Sequence, residues 1–288
     1  MTKVLVLGGR GMIGAGVVSA LTAAGIDVLK TSRNPASAGD LKFEATTDDL
    51  SPLLDHLSSG DFVFNGIGLI KQRIDENNPD SVSLATSLNS DFPRRLATAA
   101  EARGISVIQV ATDCVYAGTR GNYVEDSPQD ATDVYGKTKS LGEVSSSVVM
   151  HLRCSVIGPE IGASLSLFEW VRKQPAGAQL TGYTDHLWNG VTSDAFGRVV
   201  VAIIASGLFE SGVQHLVTSS VVSKAQLVRL IAQRCGRTDI TVADGATGKP
   251  VDRTLATNHP ERNLALWEAA GYGAIPSVEQ LVAEMPTN

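Results

Sequence analysis

The sequence predicts an α/β fold, in which a doubly wound parallel sheet is joined by a smaller, interleaved α+β lobe. First, the apolar run Val4–Leu7 leads into four glycines within residues 8–14 and then into a helical pattern. A buried parallel strand has such a continuous run of β-branched residues and leucine. Second, strand and helix patterns alternate through residue 155, as parallel sheets require. Third, the later pattern is less regular, and no obvious linker precedes it.

The first part alternates six strand patterns with helix patterns. The predicted strands are Val4–Leu7, Asp27–Thr31, Leu41–Ala45, Asp61–Gly66, Ile105–Val110 and Ser147–Arg153. The predicted helices are Ala15–Ala24, Asp48–Leu57, Asp80–Arg103 and a helix that opens at Val134. We predict that Gly25 is the C-cap of the first helix, since glycine often follows the last helical residue. Pro93 is predicted to interrupt the third helix locally. This order indicates a Rossmann-type sheet.

The second part mixes helices with short strands and loops. We predict helices at Leu165–Lys173, Ser193–Ser206, Lys224–Cys235, Glu261–Ala270 and Val278–Glu284, a strand at His215–Val217, and a polar, aromatic loop at Tyr183–Thr192. The helix from Lys224 is amphipathic, with its apolar residues on one face. We therefore assign residues 1–155 and 191–217 to a dinucleotide-type sheet domain, and residues 156–190 and 218–288 to the second lobe.

The bulk composition is that of an ordinary globular protein and disfavours several classes of partner. The 288 residues are 43% hydrophobic, and 24 basic against 30 acidic residues give a net charge of −6 without long charged runs. A nucleic-acid partner would require a basic face, and no apolar run approaches the ~18 residues of a membrane span. The three cysteines and five histidines lack disulfide or metal-ligand spacing. We expect a cytoplasmic protein without a signal peptide, a metal site or a membrane partner.

A glycine-rich turn follows the first strand. Gly9, Gly11 and Gly14 satisfy G-x-G-x-x-G, and Gly8 with the last two satisfies G-x-x-G-x-x-G. Between a strand and a helix, such glycines let a pyrophosphate approach the backbone and the positive end of the helix. The alternative is a plain strand-to-helix turn, which needs one glycine rather than four. The context therefore favours a dinucleotide site.

The end of the second predicted strand indicates which dinucleotide binds. NAD-binding folds usually carry an acidic residue about 20 residues after the glycines, where it holds the ribose hydroxyls. This strand instead ends in Thr31, Ser32, Arg33 and Asn34. An arginine here can hold a 2′-phosphate through a planar fork, and Arg10 in the glycine turn can reach the same group. We predict NADP(H) over NAD(H), the alternative being a solvated Arg33.

Tyr135 is the one tyrosine of five with a lysine four residues later, Lys139. On a helix these two side chains share a face. The ammonium would lower the pKa of the phenol from its usual value of about 10. Tyr135 could then protonate a carbonyl oxygen, or act as a base in the reverse direction. A surface tyrosine beside a lysine is the alternative, and the preceding dinucleotide turn favours the catalytic interpretation.

A hydroxyl residue, Thr112, stands at the end of the fifth predicted strand. Its side chain can hydrogen-bond the same substrate carbonyl and stabilise charge that develops on the oxygen. The alternative is a β-branched residue that only ends a strand. Asp113 is a second candidate for substrate contact, or a turn former. Cys114 suits packing better than catalysis, because no histidine is nearby in sequence.

These motifs together resemble the extended short-chain dehydrogenase/reductase family. The matching segments are Gly8-x-x-Gly11-x-x-Gly14, TDCVY at 112–116, YGKTKSLGE at 135–143 and LRCS at 152–155. Within the family, the chain is similar to the dTDP-4-dehydrorhamnose reductase group of sugar-nucleotide-binding proteins. The resemblance implies NAD(P)H-dependent reduction of the C4 ketone of a nucleotide-activated 4-keto-6-deoxy sugar, for surface polysaccharide or another deoxysugar product. It also implies a C-terminal lobe that holds the sugar nucleotide.

The resemblance also implies roles for individual residues. The catalytic residues would be Thr112, Tyr135 and Lys139. The cofactor would be lined by Gly8, Arg10, Gly11, Met12, Ile13, Gly14, Ser32, Arg33, Asn65, Gly66, Ala111, Tyr135, Lys139 and Cys154, with Ser155 beside the nicotinamide. The substrate would be lined by Asp113, Cys114, Val115, Trp188 and Asn189. Asn89 would steady Lys139 through water, as a helix asparagine does in the wider family.

Two departures leave the sugar and the nucleotide base open. Cys114 stands where many relatives have an aromatic residue, and residues 66–73 differ from the alanine-rich loop of the rhamnose enzyme. Lys71 and Arg73 in that loop either face a diphosphate or are solvated.

Three other expectations accompany the resemblance. An epimerase of the same family is one alternative, whereas a dehydratase is disfavoured because no glutamate follows Thr112 and Asp113. The other alternative is a non-catalytic, NADP-binding regulatory subunit, since the regulatory subunit of methionine adenosyltransferase resembles this group. Relatives often dimerise through helices beside the sheet, which makes a homodimer an expectation.

Overall fold

A parallel sheet forms the centre of the computed structural model, which describes residues 2–35, 39–160 and 165–287. The strands are β1 (Lys3–Leu7), β2 (Asp27–Ser32), β3 (Asp40–Lys42), β4 (Phe62–Asn65), β5 (Ser106–Ala111), β6 (Val149–Arg153), β7 (Val156–Ile157), β8 (Gln179–Tyr183), β9 (His186–Trp188), β10 (Val191–Thr192), β11 (Gly212–His215), β12 (Val222–Ser223), β13 (Thr241–Gly245) and β14 (Val251–Asp252). The helices are α1 (Met12–Ala23), α2 (Ser51–Leu54), α3 (Pro79–Thr86), α4 (Phe92–Glu101), α5 (Val134–Leu141), α6 (Leu167–Arg172), α7 (Ser193–Ala205), α8 (Lys224–Arg234), α9 (Pro260–Ala269) and α10 (Val278–Glu284).

The central sheet has seven strands in the order β3-β2-β1-β4-β5-β6-β11, and all neighbours pair in parallel. Alternate residues of β1 point to opposite faces. Val4 and Val6 pack on α1 and α7, whereas Leu5 and Leu7 pack on α2 and α4. Helices therefore cover both faces, which confirms the predicted doubly wound fold. The strand order reverses between β1 and β4, the place where such sheets bind ligands.

The smaller lobe is built from short strands around α8. Strand β9 lies between β12 and β14, β8 pairs with β13, and β7 pairs with β10. Its core includes Phe168, Trp188, Leu227 and Ile231. Trp267 of α9, however, lies in the core that covers the central sheet. The chain thus crosses between the sheet and the lobe more than once.

The predicted loop at Tyr183–Thr192 is wrong, because this segment contains β9 and β10. Strands of two or three residues are too short to show an alternating pattern. For the same reason β7, β12 and β14 were not predicted. Strands β8 and β13 have five residues each and were also missed. The predicted strand at His215–Val217 is displaced, since β11 covers Gly212–His215. Strand β3 is likewise earlier and shorter than the predicted Leu41–Ala45.

The long helical stretch before β5 contains a π-helical turn at Ser87–Asp91 between α3 and α4. Pro93 lies in the first turn of α4, where the missing N–H of proline is tolerated. The local interruption predicted at Pro93 is therefore accommodated without ending the stretch. Such π turns often occur at functional sites, and this one faces α5.

Helices α1 and α7 approach each other through glycine. A Cβ atom placed on Gly16 would lie 2.6 Å from the Ser193 carbonyl oxygen, and one on Gly197 would lie 2.7 Å from the Gly16 carbonyl oxygen. These distances are shorter than real Cβ contacts, so the two backbones pack without side chains between them. The contact joins the helix of the glycine turn to the helix that follows β10.

None of the helices in the described ranges has the length and apolar character that crossing a membrane requires.

Candidate active site

The glycine turn leaves the first turn of α1 open to a ligand. Gly8 has a φ of +74°, and the Gly11 N–H donates to the Gly8 carbonyl oxygen at 3.0 Å. Gly11 is the N-cap of α1 and provides no side-chain cap. The N–H groups at the start of a helix lack intrahelical partners and bind anions such as phosphate. A Cβ atom on Gly14 would lie 2.3 Å from the Gly8 oxygen, so the turn requires glycine there.

The end of β2 is tied to this turn. The N–H groups of Gly8 and Gly9 donate to the hydroxyl and carbonyl oxygens of Thr31, each at 3.2 Å. Arg10 Nη1 donates to the Asn34 carbonyl oxygen at 2.9 Å. Arg10 and Arg33 are both exposed. The structure therefore brings the two predicted phosphate-binding arginines to one edge of the sheet.

The end of β4 forms the other side of the crevice. The Gly66 N–H donates to the Leu7 carbonyl oxygen at 3.0 Å. Asn65 is fully buried, donates to Gln109 Oε1 at 2.8 Å and accepts from the Ile67 N–H at 3.0 Å. Asn65 thus shapes the backbone at the strand reversal, where it is a structural support for the predicted cofactor site.

The end of β5 carries the predicted hydroxyl residue. Thr112 caps a 3-10 turn at Asp113–Val115, because its hydroxyl accepts from the Cys114 N–H at 3.2 Å. The same hydroxyl donates to Asp113 Oδ1 at 3.2 Å. Thr112 is buried next to Ala111. Its hydroxyl is therefore held at the carboxyl edge of the sheet.

Helix α5 presents Tyr135 beside Thr112. Asp133 caps the helix by accepting from the Gly136 N–H at 2.7 Å. Burial raises the pKa of Tyr135, and a hydrogen bond with Thr112 acts in the opposite direction. The predicted lowering of this pKa by Lys139 is wrong for this arrangement, since burial dominates. The phenol therefore holds its proton, as an acid requires.

Lys139 lies one helical turn after Tyr135 on α5 and is buried. Its Nζ donates to the Val110 carbonyl oxygen at 2.8 Å. Burial lowers its pKa to about 8, and Glu143 acts in the opposite direction. Asn89 has no hydrogen bond with Lys139 among the described contacts. Its amide instead binds the Leu69 main chain at 2.8 and 3.0 Å and Thr138 Oγ1 at 3.1 Å. Asn89 thereby fixes the loop after β4 against α5.

Lys71, in the loop after β4, is ion-paired with a residue of the chain itself. Its Nζ forms an ion pair with Asp133 Oδ2 at 2.7 Å. Glu76 Oε1 accepts from the Val134 N–H at 3.1 Å. These two contacts therefore hold the loop after β4 against the first turn of α5, with Lys71 paired to Asp133.

The predicted substrate residues fall into two groups. Asp113 and Cys114 lie near Tyr135, and both contribute to raising its pKa. Burial raises the pKa of Cys114 to about 12, so this thiol is protonated. Val115, in contrast, is fully buried in a cluster with Tyr116, Tyr123 and Leu255. Asn189 binds both main-chain groups of Leu255, at 2.7 and 3.0 Å. Val115 and Asn189 thus support the walls of the site.

Trp188 and Cys154 are both buried. Trp188 Nε1 lacks a hydrogen-bond partner within the described part of the chain. The ammonium of Lys224 stands 5.6 Å from the centroid of the Trp188 ring, within the range of a cation–π contact. Burial raises the pKa of Cys154, and its side chain belongs to the core under α7.

Two cations of the smaller lobe, Lys224 and Arg253, face the catalytic edge and were not anticipated. Burial raises the pKa of Asp113, and the charges of these two residues oppose the rise. Arg253 Nε donates to the Tyr116 carbonyl oxygen at 2.8 Å. Lys224 is the first residue of α8, where the helix dipole disfavours a cation. That unfavourable position is a sequence signal for Lys224, whereas Arg253 has no local signal.

No group of three or more potential metal ligands occurs within residues 2–35, 39–160 and 165–287.

Two curated relatives match part of the chain. The dTDP-4-dehydrorhamnose reductase of Streptomyces griseus is 44% identical over 62 residues, which is 21% of this chain and 20% of that protein. Methionine adenosyltransferase 2 subunit beta of Bos taurus is 40% identical over 68 residues, which is 24% of this chain and 20% of that protein. The matches thus span about a fifth of each relative.

Solved structures share the fold over nearly the whole chain. The dTDP-4-dehydrorhamnose reductase of Bacillus anthracis in complex with NADP has a TM-score of 0.77 at 16% identity and covers 99% of both chains. MoeE5 in complex with UDP-glucose and NAD has a TM-score of 0.74 at 21% identity, with 98% of this chain and 97% of that chain covered. At such identities the likeness shows the fold.

The family profile described as the RmlD substrate binding domain matches residues 1–263. This match covers the glycine turn, the Thr112 and Tyr135 edge, and the smaller lobe as far as the start of α9. It confirms the resemblance drawn from the motifs, and the chain belongs to the RmlD substrate binding domain family.

Proposed function

We propose that this protein uses NADPH to reduce the C4 ketone of a nucleotide-activated 4-keto-6-deoxy sugar. One observation carries the proposal: Thr112, Tyr135 and Lys139 meet at the carboxyl edge of β5, beside the glycine turn of β1. Membership in the RmlD substrate binding domain family supports it. So does the match to the dTDP-4-dehydrorhamnose reductase of Streptomyces griseus.

The residues fit a dinucleotide phosphate and nicotinamide. The uncapped start of α1 suits a pyrophosphate, and the missing Cβ of Gly14 lets the turn pack closely on this helix. We expect Lys139 to hold the nicotinamide ribose and Gly66 to line the cofactor at the strand reversal. A bound NADPH would supply the hydride. The chain itself supplies orientation and the proton.

Tyr135 is the proton donor of the proposed reaction. Thr112 holds the substrate carbonyl oxygen by a hydrogen bond, which stabilises the negative charge that develops there. Tyr135 then donates its proton to that oxygen, so that an alkoxide is never released. Lys139 stabilises the phenolate that remains. Burial of the phenol, which raises its pKa, keeps the proton in place before the hydride arrives.

The pair Arg10 and Arg33 supports NADPH as the preferred cofactor. Both are exposed at the edge that also holds Asn34, and the β2 end lacks an acidic residue. We expect Arg33→Ala to lower NADPH affinity about tenfold, since a charged hydrogen bond contributes about 1.5–3 kcal/mol. NADH affinity should stay unchanged. Fluorescence titration with both cofactors measures this, with Arg94→Ala, at an exposed position of α4, as control. Equal losses for both cofactors would contradict the preference.

Lys224 and Arg253 supply the positive charge that a sugar nucleotide diphosphate needs. Both act on the buried carboxyl of Asp113, since their charges oppose the rise in its pKa. We expect Lys224→Met and Arg253→Met each to raise KM for the sugar nucleotide about tenfold. NADPH affinity should not change. Arg229→Met on the exposed face of α8 is the matched control. A KM that does not respond to either change would remove these residues from the site.

The direct test follows NADPH and NADH absorbance while a dehydratase generates dTDP- and UDP-4-keto-6-deoxy sugars in place. Faster oxidation of NADPH with one donor supports the proposal and identifies the nucleotide. If neither cofactor is oxidised although NADPH binds, the reductase proposal fails.

Two observations support alternatives. MoeE5, which shares the fold, is bound to UDP-glucose and NAD; an epimerase would retain its nicotinamide cofactor through purification. The match to methionine adenosyltransferase 2 subunit beta favours a regulatory subunit. Such a subunit would form a stable complex with a partner and show no turnover. The intact Thr112, Tyr135 and Lys139 argue for catalysis.

A further inference from the structure

A buried carboxylate, Glu143, lies one helical turn beyond Lys139. It follows Gly142, the C-cap of α5, whose φ of −86° and ψ of −7° continue the helical path, so that Glu143 stands about one turn after Lys139. Its two oxygens accept from Arg153 Nε at 3.0 Å and Arg153 Nη2 at 2.5 Å. The side chains of Arg153 and Glu143 are only 1% and 5% exposed. Bidentate hydrogen bonding of this kind fixes both the position and the orientation of a carboxylate.

Arg153 is itself held from several sides. It stands at the end of β6, and its Nη1 donates to Tyr116 Oη at 2.5 Å, to His215 Nε2 at 2.7 Å and to the Glu125 carbonyl oxygen at 3.3 Å. Burial and the Arg153 charge lower the pKa of His215 to about 4. His215 is therefore neutral and accepts from the guanidinium. Arg153 cannot move away from Glu143 without breaking this network.

Lys139 has few other charges around it. Tyr135 shares its face of α5, and Glu143 follows the C-cap of that helix. From β6, His151 faces it but is neutral, since burial lowers the pKa of that imidazole. Strand β5 offers the Val110 carbonyl oxygen. The neutral side chains of Asn89 and Ser90 in the π turn bind Thr138, the residue before Lys139. Glu143 is the charge that opposes the effect of burial on Lys139.

We propose that Glu143 is a positioning residue that keeps the Lys139 ammonium charged at working pH, with Arg153 fixing the carboxylate in place. This inference rests on the proposed function, in which a charged Lys139 stabilises the Tyr135 phenolate. An opposite charge nearby favours the charged form of a buried group. Without Glu143, Lys139 would lose its proton at a lower pH, and turnover would fall with it.

The pH profile of kcat tests the inference. Glu143→Gln preserves shape but removes charge, so the alkaline limb should move about one pH unit lower. Glu143→Asp retains the charge and should restore most of the wild-type profile. Glu169→Gln is the matched control, because Glu169 is equally buried and paired with Arg172 in the smaller lobe. Loss of stability alone would not move the limb. An alkaline limb that is unchanged in Glu143→Gln would overturn the inference.

A second readout does not depend on turnover. Carbon-13 NMR of labelled lysine Cε atoms in cofactor-free protein follows Lys139 directly, with Lys139→Arg for assignment. The resonance should titrate near pH 8 in the wild type and at lower pH in Glu143→Gln. A wild-type midpoint at the ordinary lysine value of about 10.4 would overturn the inference even if the variant failed to fold. The expected titration without any sugar turnover would instead overturn the proposed function alone.

Discussion

Tyr135→Phe should abolish sugar reduction while leaving NADPH affinity intact. The substitution removes the phenolic hydroxyl beside Thr112 and little else, since the ring can keep its half-buried place. General acid catalysis contributes about 10²–10⁴-fold, so kcat should fall by about 10³-fold. Stopped-flow absorbance with NADPH and the 4-keto sugar measures the loss, and fluorescence titration measures the cofactor.

The control for this prediction is Tyr183→Phe. Tyr183 is 43% exposed at the end of β8, and its hydroxyl has no place in the proposed reaction. Its kcat should match the wild type. If Tyr135→Phe retained more than about a tenth of the wild-type kcat, another group would be the proton donor, and the assignment drawn from helix α5 would fail.

Gly14→Ala should disrupt both the glycine turn and cofactor binding. The added Cβ would lie 2.3 Å from the Gly8 carbonyl oxygen and 2.9 Å from its carbon. These are backbone atoms, so the overlap cannot be relieved by a side-chain rotation. Overpacking of this kind costs about 1–3 kcal/mol, and the displaced turn should bind NADPH at least 100-fold more weakly. Urea unfolding and cofactor titration measure the two effects.

Gly11→Ala separates these effects. A Cβ on Gly11 would meet the nearest atom, the Gly8 oxygen, at 3.4 Å, and its φ of −71° suits any residue. The variant should therefore fold with wild-type stability. Its methyl group would still occupy the mouth of the turn, where we expect NADPH to bind, and should weaken binding. Wild-type NADPH affinity in Gly11→Ala would place the cofactor elsewhere.

The sheet domain could be predicted because its signals are local and long enough to read. Val4–Leu7, the glycine turn and α1 each show a pattern within one element, and their order fixes a parallel sheet. The smaller lobe offers no such signal, since β7, β9, β10, β12 and β14 have two or three residues each. These strands form because neighbouring segments present backbone partners, which a local pattern cannot show.

The candidate site, too, could be predicted from the sequence only in part. Tyr135 and Lys139 are recognisable from their spacing on one helix. Their pKa values are set by burial, which depends on everything packed against α5. Arg253 reaches the site from 137 residues beyond Tyr116, with which it shares a hydrogen bond. No sequence window contains both residues, so only the folded chain reveals the cation beside Asp113.

The glycine contact between α1 and α7 determines which parts of this fold can be exchanged between family members. Gly16 and Gly197 leave no room for a methyl group on either helix. A chimera that transplants the smaller lobe of a relative together with α7 would place a foreign residue against Gly16. A chimera should therefore take the smaller lobe, α7 and the face of α1 that contacts α7 from the same relative. A chimera that takes α1 and α7 from different relatives is expected to assemble incorrectly.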